Sequence, residues 1–151
     1  PKITAKSQRS DTYLDESRAF GIKPDLWINT PSKSLIADTK YKIVYSDEAD
    51  PKRGISQADL YQMLAYAVRF NVDDIVLFYP NTIIDNQQKK VSLIIKDALA
   101  NDKEVSVRAY QIPVLSREVL LNKFNPSTDF AELFGPLKNE LSGRIRDILI
   151  P

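Results

Sequence analysis

Lys23-Pro24-Asp25-Leu26-Trp27-Ile28, and then, after Asn29-Thr30-Pro31-Ser32-Lys33-Ser34, Leu35-Ile36-Ala37-Asp38-Thr39-Lys40, is the stretch that decides how this chain is read. Two short apolar runs joined by a link rich in turn formers predict two strands and a tight connection. Side chains alternate faces along a strand, so Asp25, Trp27 and Asn29 share one face, as do Ile36, Asp38 and Lys40 on the second strand. A hairpin folded symmetrically about Pro31 and Ser32 sets Asp25 opposite Asp38, with Cβ atoms roughly 5 Å apart. Carboxylates that close repel, and one takes up a proton unless a cation lies between them. A divalent cation removes the conflict. Carboxylate oxygens are what Mg²⁺ prefers, with Mn²⁺ as the alternative. Lys40 then projects beside the cation, where an ammonium can polarise a water or steady a pentavalent phosphate. Taken alone, Asp-x-Lys fits a surface strand with a cross-strand ion pair equally well.

The next segment adds to the ensemble. Ser56 is a good N-cap, with Asp59 three residues on approximating a capping box. Leu60, Met63, Leu64, Ala67 and Val68 recur at helical spacing, so a helix packed on the sheet is expected. Gln57 and Tyr61 are four apart, and so are Gln62 and Tyr66, so each pair shares a helix face. An amide and a phenol can brace the lysine or hydrogen-bond a DNA phosphate without adding charge. Tyr61 and Tyr66 also suit half-buried packing positions.

Composition narrows the chemistry. At 151 residues the chain is one domain by size. It has no histidine, which excludes Ser-His-Asp triads and His-based zinc sites, and no cysteine, which excludes disulfides and thiolate metal sites. Gly21, Gly54, Gly135 and Gly143 stand singly, so there is no phosphate loop. No apolar run approaches the roughly 20 residues of a membrane span, and no signal-peptide pattern opens the chain. A cytoplasmic protein without a membrane is expected. The net charge of +1 implies weak intrinsic affinity for DNA. The positives are nonetheless grouped, Lys40 with Lys42, Lys52 with Arg53, Lys89 with Lys90 and Arg144 with Arg146.

Outward from the centre, Lys2 to Ser7 and Ala19 to Ile22 read as strands around a polar loop. The strand holding Lys40 is expected to continue through Tyr45. A polar, mobile loop from Ser46 to Ile55 follows, a place for a DNA-contacting element. Ile75-Val76-Leu77-Phe78-Tyr79-Pro80 is a buried strand, parallel to a neighbour through the helical crossover. Lys89 to Lys96 and Glu104 to Val114 form a hairpin or sheet edge. Ser127 to Phe134 and Leu137 to Ile148 read as two helices, with Gly135-Pro136 as stop and restart. The fold class is α/β, a mixed central sheet flanked by helices.

Pro24-Asp25, Asp38-Thr39-Lys40 and Gln62-Met63-Leu64-Ala65-Tyr66 together resemble the PD-(D/E)xK nuclease superfamily with its Gln-x-x-x-Tyr extension. More narrowly, Lys23-Pro24-Asp25, Ala37-Asp38-Thr39-Lys40-Tyr41-Lys42, Ser56-Gln57-Ala58-Asp59-Leu60-Tyr61-Gln62-Met63 and Val76-Leu77-Phe78-Tyr79-Pro80 resemble the McrC family. These are nuclease subunits of McrBC-type, modification-dependent restriction systems. The resemblance spans about residues 20 to 80 and implies a restriction-endonuclease-like core that cleaves double-stranded DNA with Mg²⁺. It also implies a McrB-like, GTP-driven AAA+ partner. Asp25 and Asp38 would be metal ligands, with the Thr39 carbonyl as a further one. Lys40, Gln62 and Tyr66 would complete the catalytic set, because Asp59-Leu60-Tyr61 matches the family pattern in that frame. The superfamily often adds an upstream acidic residue, and Asp15 or Glu16 could fill that place.

Relatives usually carry an additional N-terminal part that engages the partner, so residues 1–151 read as a single nuclease domain, of a longer protein or of a shorter relative. Two cuts in a duplex need two sites, which leaves a homodimer open. Two other classes remain: a RecB-like repair or recombination nuclease acting without a motor, and a non-catalytic DNA-binding or assembly module of the same fold.

Overall fold

The computed structural model describes residues 3–7, 11–42, 50–80, 90–97, 103–112 and 130–149. The turn formers between the two central runs act as expected. Thr30 N–H donates to the Lys33 carbonyl at 2.8 Å, and Lys33 N–H returns a bond to Thr30 Oγ1 at 3.1 Å. This turn joins strands Leu26–Asn29 and Ser34–Thr39. In chain order the described elements are β1 (Thr4–Ser7), β2 (Thr12–Tyr13), β3 (Gly21–Ile22), β4 (Leu26–Asn29), β5 (Ser34–Thr39), α1 (Gln57–Phe70), β6 (Asp74–Pro80), β7 (Lys90–Asp97), β8 (Lys103–Ile112) and α2 (Phe130–Leu149).

Six strands form one mixed sheet in the order β1-β4-β5-β6-β8-β7, and β2 pairs with β3 apart from it. The centre, β5-β6-β8, is parallel, and each flank is antiparallel. Parallel strands need both faces covered, and β6 is buried along Asp74 to Tyr79. Its side chains divide by parity. Ile75, Leu77 and Tyr79 join Ile36, Met63, Tyr66 and Val107 under α1. Val76 and Phe78 join Leu35, Ala37, Tyr110, Ile148 and Leu149 on the opposite face. Ser56 caps α1 by accepting from Asp59 N–H at 3.1 Å, and Asn71 closes it in the left-handed conformation at φ 51°.

Three expectations need correction. The first concerns the face of α1: Asp59, Met63, Tyr66 and Ala67 are its buried residues, while Val68 is 57% exposed. Asp59 takes an inward position because two polar partners wait for it, as described below.

The second concerns β5, which ends at Thr39 instead of running on. Lys40 N–H still donates to the Phe78 carbonyl at 2.8 Å. In a parallel ladder the reciprocal bond to the Lys40 carbonyl would come from residue 80, which is Pro80 and has no N–H. The Lys40 carbonyl instead accepts from Lys42 N–H at 2.8 Å, a γ-turn about Tyr41. Residues 43–49, on which the end of the expected strand and the first part of the expected Ser46–Ile55 loop fall, lie outside the described residues. Residues 50–54 form a tight turn in which the Asp50 carboxylate accepts Lys52 N–H at 2.9 Å and Gly54 N–H at 2.7 Å. These bonds, that to Gly54 foremost, hold the Asp50 carboxyl below its usual range.

The third concerns Gly135-Pro136, which does not divide the last helix: α2 runs through it from Phe130 to Leu149. Proline removes one backbone bond at about 3 kcal/mol. Helix formers on both sides and burial of Ile148 and Leu149 against the sheet offset that cost. Residues 127–129, the expected start, lie outside the described residues. A polar latch also holds the C-terminal end. Arg108 grips Asp74 from two nitrogens at 2.9 and 3.0 Å and donates to the Ile148 carbonyl at 3.2 Å.

Candidate active site

The site grows out of the hairpin register. Leu26 faces Ala37, Trp27 faces Ile36, Ile28 faces Leu35 and Asn29 faces Ser34. One step further along the same register are Asp25 and Asp38, the pairing expected from symmetry about Pro31 and Ser32. The Asp38 carboxylate accepts the backbone N–H of Asp25. Asp25 Oδ2 in turn accepts from Thr39 N–H at 2.8 Å and Thr39 Oγ1 at 2.5 Å. Each acid is thus tied to the other's strand.

Lys40 Nζ lies 2.5 Å from Asp38 Oδ2 and donates to Gln62 Oε1, also at 2.5 Å. Gln62 Nε2 donates to the Tyr66 hydroxyl at 2.9 Å, and that hydroxyl donates to the Lys23 carbonyl at 3.1 Å. The relay therefore leaves Asp38, crosses to α1 and returns to the chain two residues before Asp25. Of the two Gln-x-x-x-Tyr frames, Gln62 and Tyr66 join this relay. Gln57 Nε2 donates to the Tyr61 hydroxyl, on the exposed side of α1.

Electrostatics sharpen the arrangement. Burial pushes the Asp38 carboxyl above its usual range, and the negative charge of Asp25 adds to the push, while Lys40 opposes it. Burial raises the Tyr66 phenol to about 12, with Asp38 contributing, so Tyr66 acts as a neutral donor near pH 7. A buried carboxylate short of compensation beside a second one is a donor set that fits a hard divalent cation. Among the described residues no group of three or more acidic side chains is placed to hold a metal. Asp25, Asp38 and the Thr39 carbonyl are the groups that could serve as ligands, a number that suits an ion keeping several waters.

Asp15 and Glu16 do not extend this cluster. Ser17 Oγ, Phe20 N–H at 2.8 Å and Ala19 N–H at 3.1 Å all donate to Asp15. These bonds, Ser17 foremost, lower its carboxyl to about 2. Asp15 organises its own loop. Glu16 is exposed.

Three residues beside the site were read from sequence in other terms. Asp59 accepts from Tyr79 Oη at 2.9 Å and pairs with Lys42 Nζ at 2.5 Å, and Lys42 also reaches Ser56 Oγ at 3.0 Å. Sequence assigned Asp59 to a capping box, Tyr79 to an apolar run and Lys42 to a basic pair. The available signal was the spacing of Asp59 three residues before Gln62, on one side of the helix. Beyond the ends of β5, β6 and β8, Thr39, Lys40, Tyr41, Phe78, Tyr79, Pro80 and Ile112 line a cleft of about 210 Å³. The carboxyl ends of parallel strands are where α/β sheets bind their ligands.

The family model for McrBC 5-methylcytosine restriction system components matches residues 1–80. No curated protein matches the chain significantly. Among solved structures, the chain is similar to one in a half-complex of a tetradecameric Thermococcus gammatolerans assembly of McrB AAA+ hexamers with bound McrC. That likeness has a TM-score of 0.51 at 18% identity and covers 75% of this chain and 24% of the other. At such identity the likeness is one of fold, and the chain spans about a quarter of the length of that relative.

Proposed function

Since the chain belongs to the McrBC family of 5-methylcytosine restriction system components, we propose that it is the DNA-cleaving part of such a system, a Mg²⁺-dependent endonuclease on a PD-(D/E)xK core. The observation that carries this reading is the opposed Asp25–Asp38 pair, with Lys40 held against it by Gln62 and Tyr66.

The reaction is hydrolysis of a phosphodiester. Water attacks phosphorus, the bond to the 3′ oxygen breaks, and that oxygen leaves with a proton. Asp25, Asp38 and the Thr39 carbonyl would hold Mg²⁺, or Mn²⁺ in its place. When bound, the ion neutralises charge at the phosphate and acidifies the attacking water. Lys40, paired with Asp38, sets an ammonium at the reacting phosphate. Gln62 fixes the height of that ammonium through its amide oxygen. Tyr66 fixes Gln62, and the Lys23 carbonyl fixes Tyr66, so the lysine arrives in one orientation.

The partner reading draws on the same family. A McrB-like AAA+ GTPase would bring duplex DNA to a chain whose own charge of +1 gives little pull on phosphates. Two copies of the chain would supply the two cuts of a double-strand break. Among the described residues no helix is long and apolar enough to cross a membrane; work in the cytoplasm is part of the proposal.

The test is plasmid cleavage by the purified chain in Mg²⁺, alone and with a McrB-like motor plus GTP, with Asp38→Ala as control. Cleavage that needs the motor and Asp38 is the expected outcome. Cleavage without the motor would replace the delivered subunit by a self-sufficient repair-type nuclease. A variant lacking Asp38 that cuts at the parent rate would remove the assignment.

A further inference from the structure

A second acid–lysine pair lies on α1 one helical turn before Gln62. Asp59 is buried, yet it sits in the first turn of α1 where an aliphatic side chain would fill the space without a desolvation cost. Its carboxylate is fully engaged. Tyr79, itself buried on β6, donates to it at 2.9 Å, and Lys42 Nζ pairs with it at 2.5 Å while also reaching the N-cap Ser56 at 3.0 Å. Pro80 is what brings Lys42 there. It denies the Lys40 carbonyl a ladder partner, and the resulting γ-turn sends the exposed Tyr41 outward and returns Lys42 toward α1. Strand β6, the outgoing end of β5 and the first turn of α1 therefore meet at one carboxylate.

We propose that Asp59, Lys42 and Tyr79 are positioning residues that set the axial register of α1 and thereby hold Gln62 on Lys40. Buried polar groups serve registry better than stability. A helix advances 1.5 Å per residue as a rigid unit, so a slip of even one residue at Asp59 carries Gln62 beyond hydrogen-bond reach of a lysine now 2.5 Å away. Such a slip also strands the buried carboxylate and phenol without partners. The basic pair Lys40 and Lys42 is thus divided in labour. One lysine faces the candidate metal ligands, and the other holds the helix that aims it.

The proposal's kinetic arm rests on the nuclease reading, and its spectroscopic arm does not. In the ¹⁵N-labelled chain, lysine ammonium resonances are recorded, with that of Lys40 assigned by its loss in Lys40→Arg. Asp59→Asn should shift or broaden the Lys40 signal together with that of Lys42. Lys42→Met, at a half-exposed position, gives the same reading should Asp59→Asn fail to fold, and Lys42→Arg should restore the parent Lys40 signal. A Lys40 resonance unmoved in Asp59→Asn and Lys42→Met overturns the proposal. In cleavage assays, Asp59→Asn should lower kcat about 10- to 100-fold, the range of partners that orient a ligand or reactive group, with KM for DNA unchanged. A rise in KM at constant kcat would overturn it as well. If the parent chain cuts nothing even with the motor and GTP, the nuclease reading fails, and a coupled Lys40 signal still establishes the register device.

Discussion

Asp38 and Asp59 share one sheet face, each is buried, and each meets a lysine at 2.5 Å, yet their carboxyl groups shift in opposite directions. For both, burial is the largest influence and pushes upward. At Asp59 the bonds from Lys42, Tyr79 and Ser56 outweigh it, and the carboxyl lies below its usual range. At Asp38 the lysine does not suffice against burial, to which Asp25 adds a smaller push as a like charge, and the carboxyl lies above. The same ion pair is therefore a finished structural contact in one place and an unfinished one in the other. An acid that remains short of positive charge after pairing is one that can still take a cation.

The hardest test of that contrast exchanges the acids' fates. Asp38→Ala should lower Mg²⁺-dependent cleavage on the order of 10³-fold or more, since several kcal/mol of charge stabilisation go with the metal. It should leave the circular dichroism spectrum unchanged, whereas an equal loss of activity from unfolding would erase the distinction. Lys40→Met should reduce cleavage about 10²-fold while tightening Mg²⁺ or Mn²⁺ binding, because the ammonium now competes for Asp38 Oδ2. Calorimetric titration reads this, and weaker binding would mean that Lys40 supports the ion instead of standing in for it. Asp59→Ala, by contrast, should cost stability, about 2 kcal/mol for a buried hydrogen-bonded carboxylate whose lysine partner is half-exposed. Urea denaturation measures it, and a neutral result would show the second pair to be as dispensable to folding as the first.

The smallest effect is in the pH dependence. A raised carboxyl is a liability in its ionised form, so Asp38 costs stability above its folded-state pKa, and the cost disappears as pH falls through that value. A lowered carboxyl is the reverse. Asp59 contributes stability above the ordinary carboxylate range, and that contribution is lost only as pH falls through its depressed value. On acidification from neutrality, the Mg²⁺-induced rise in Tm should vanish first and the fold should weaken later. Loss of both in a single step would dissolve the difference between the two acids.

Local pattern made much of this legible. The hairpin register followed from turn formers and strand alternation, which set Asp25 opposite Asp38. The parallel pairing of β6 followed from its continuous apolar run. Legibility failed where a residue's surroundings are supplied by another element. Val68 matched the helical stripe, but burial on α1 is decided by Tyr79 and Lys42 reaching for Asp59. The end of β5 was invisible because its cause, Pro80, lies on a neighbouring strand. Gly135-Pro136 carried the right local signal for a break, and packing of the residues beyond it prevailed. The Gln62 frame was selected by family pattern, since the two Gln-x-x-x-Tyr pairs are locally equivalent and only the position of Lys40 separates them.

The two faces of the sheet are secured by different means, and this bears on how the molecule comes apart. Beneath α1 lies the larger apolar cluster, stitched by the relay from Asp38 to Lys23. On the other face the C-terminal end of α2 rests on Ile145, Ile148, Leu149 and the latch from Arg108 to the Ile148 carbonyl. Native-state amide exchange should resolve these as separate cooperative units, with α2 opening at a lower free energy than β5, β6 and α1. The reactive face would then persist while the opposite face transiently undocks, and Arg108→Met should widen the interval between the two.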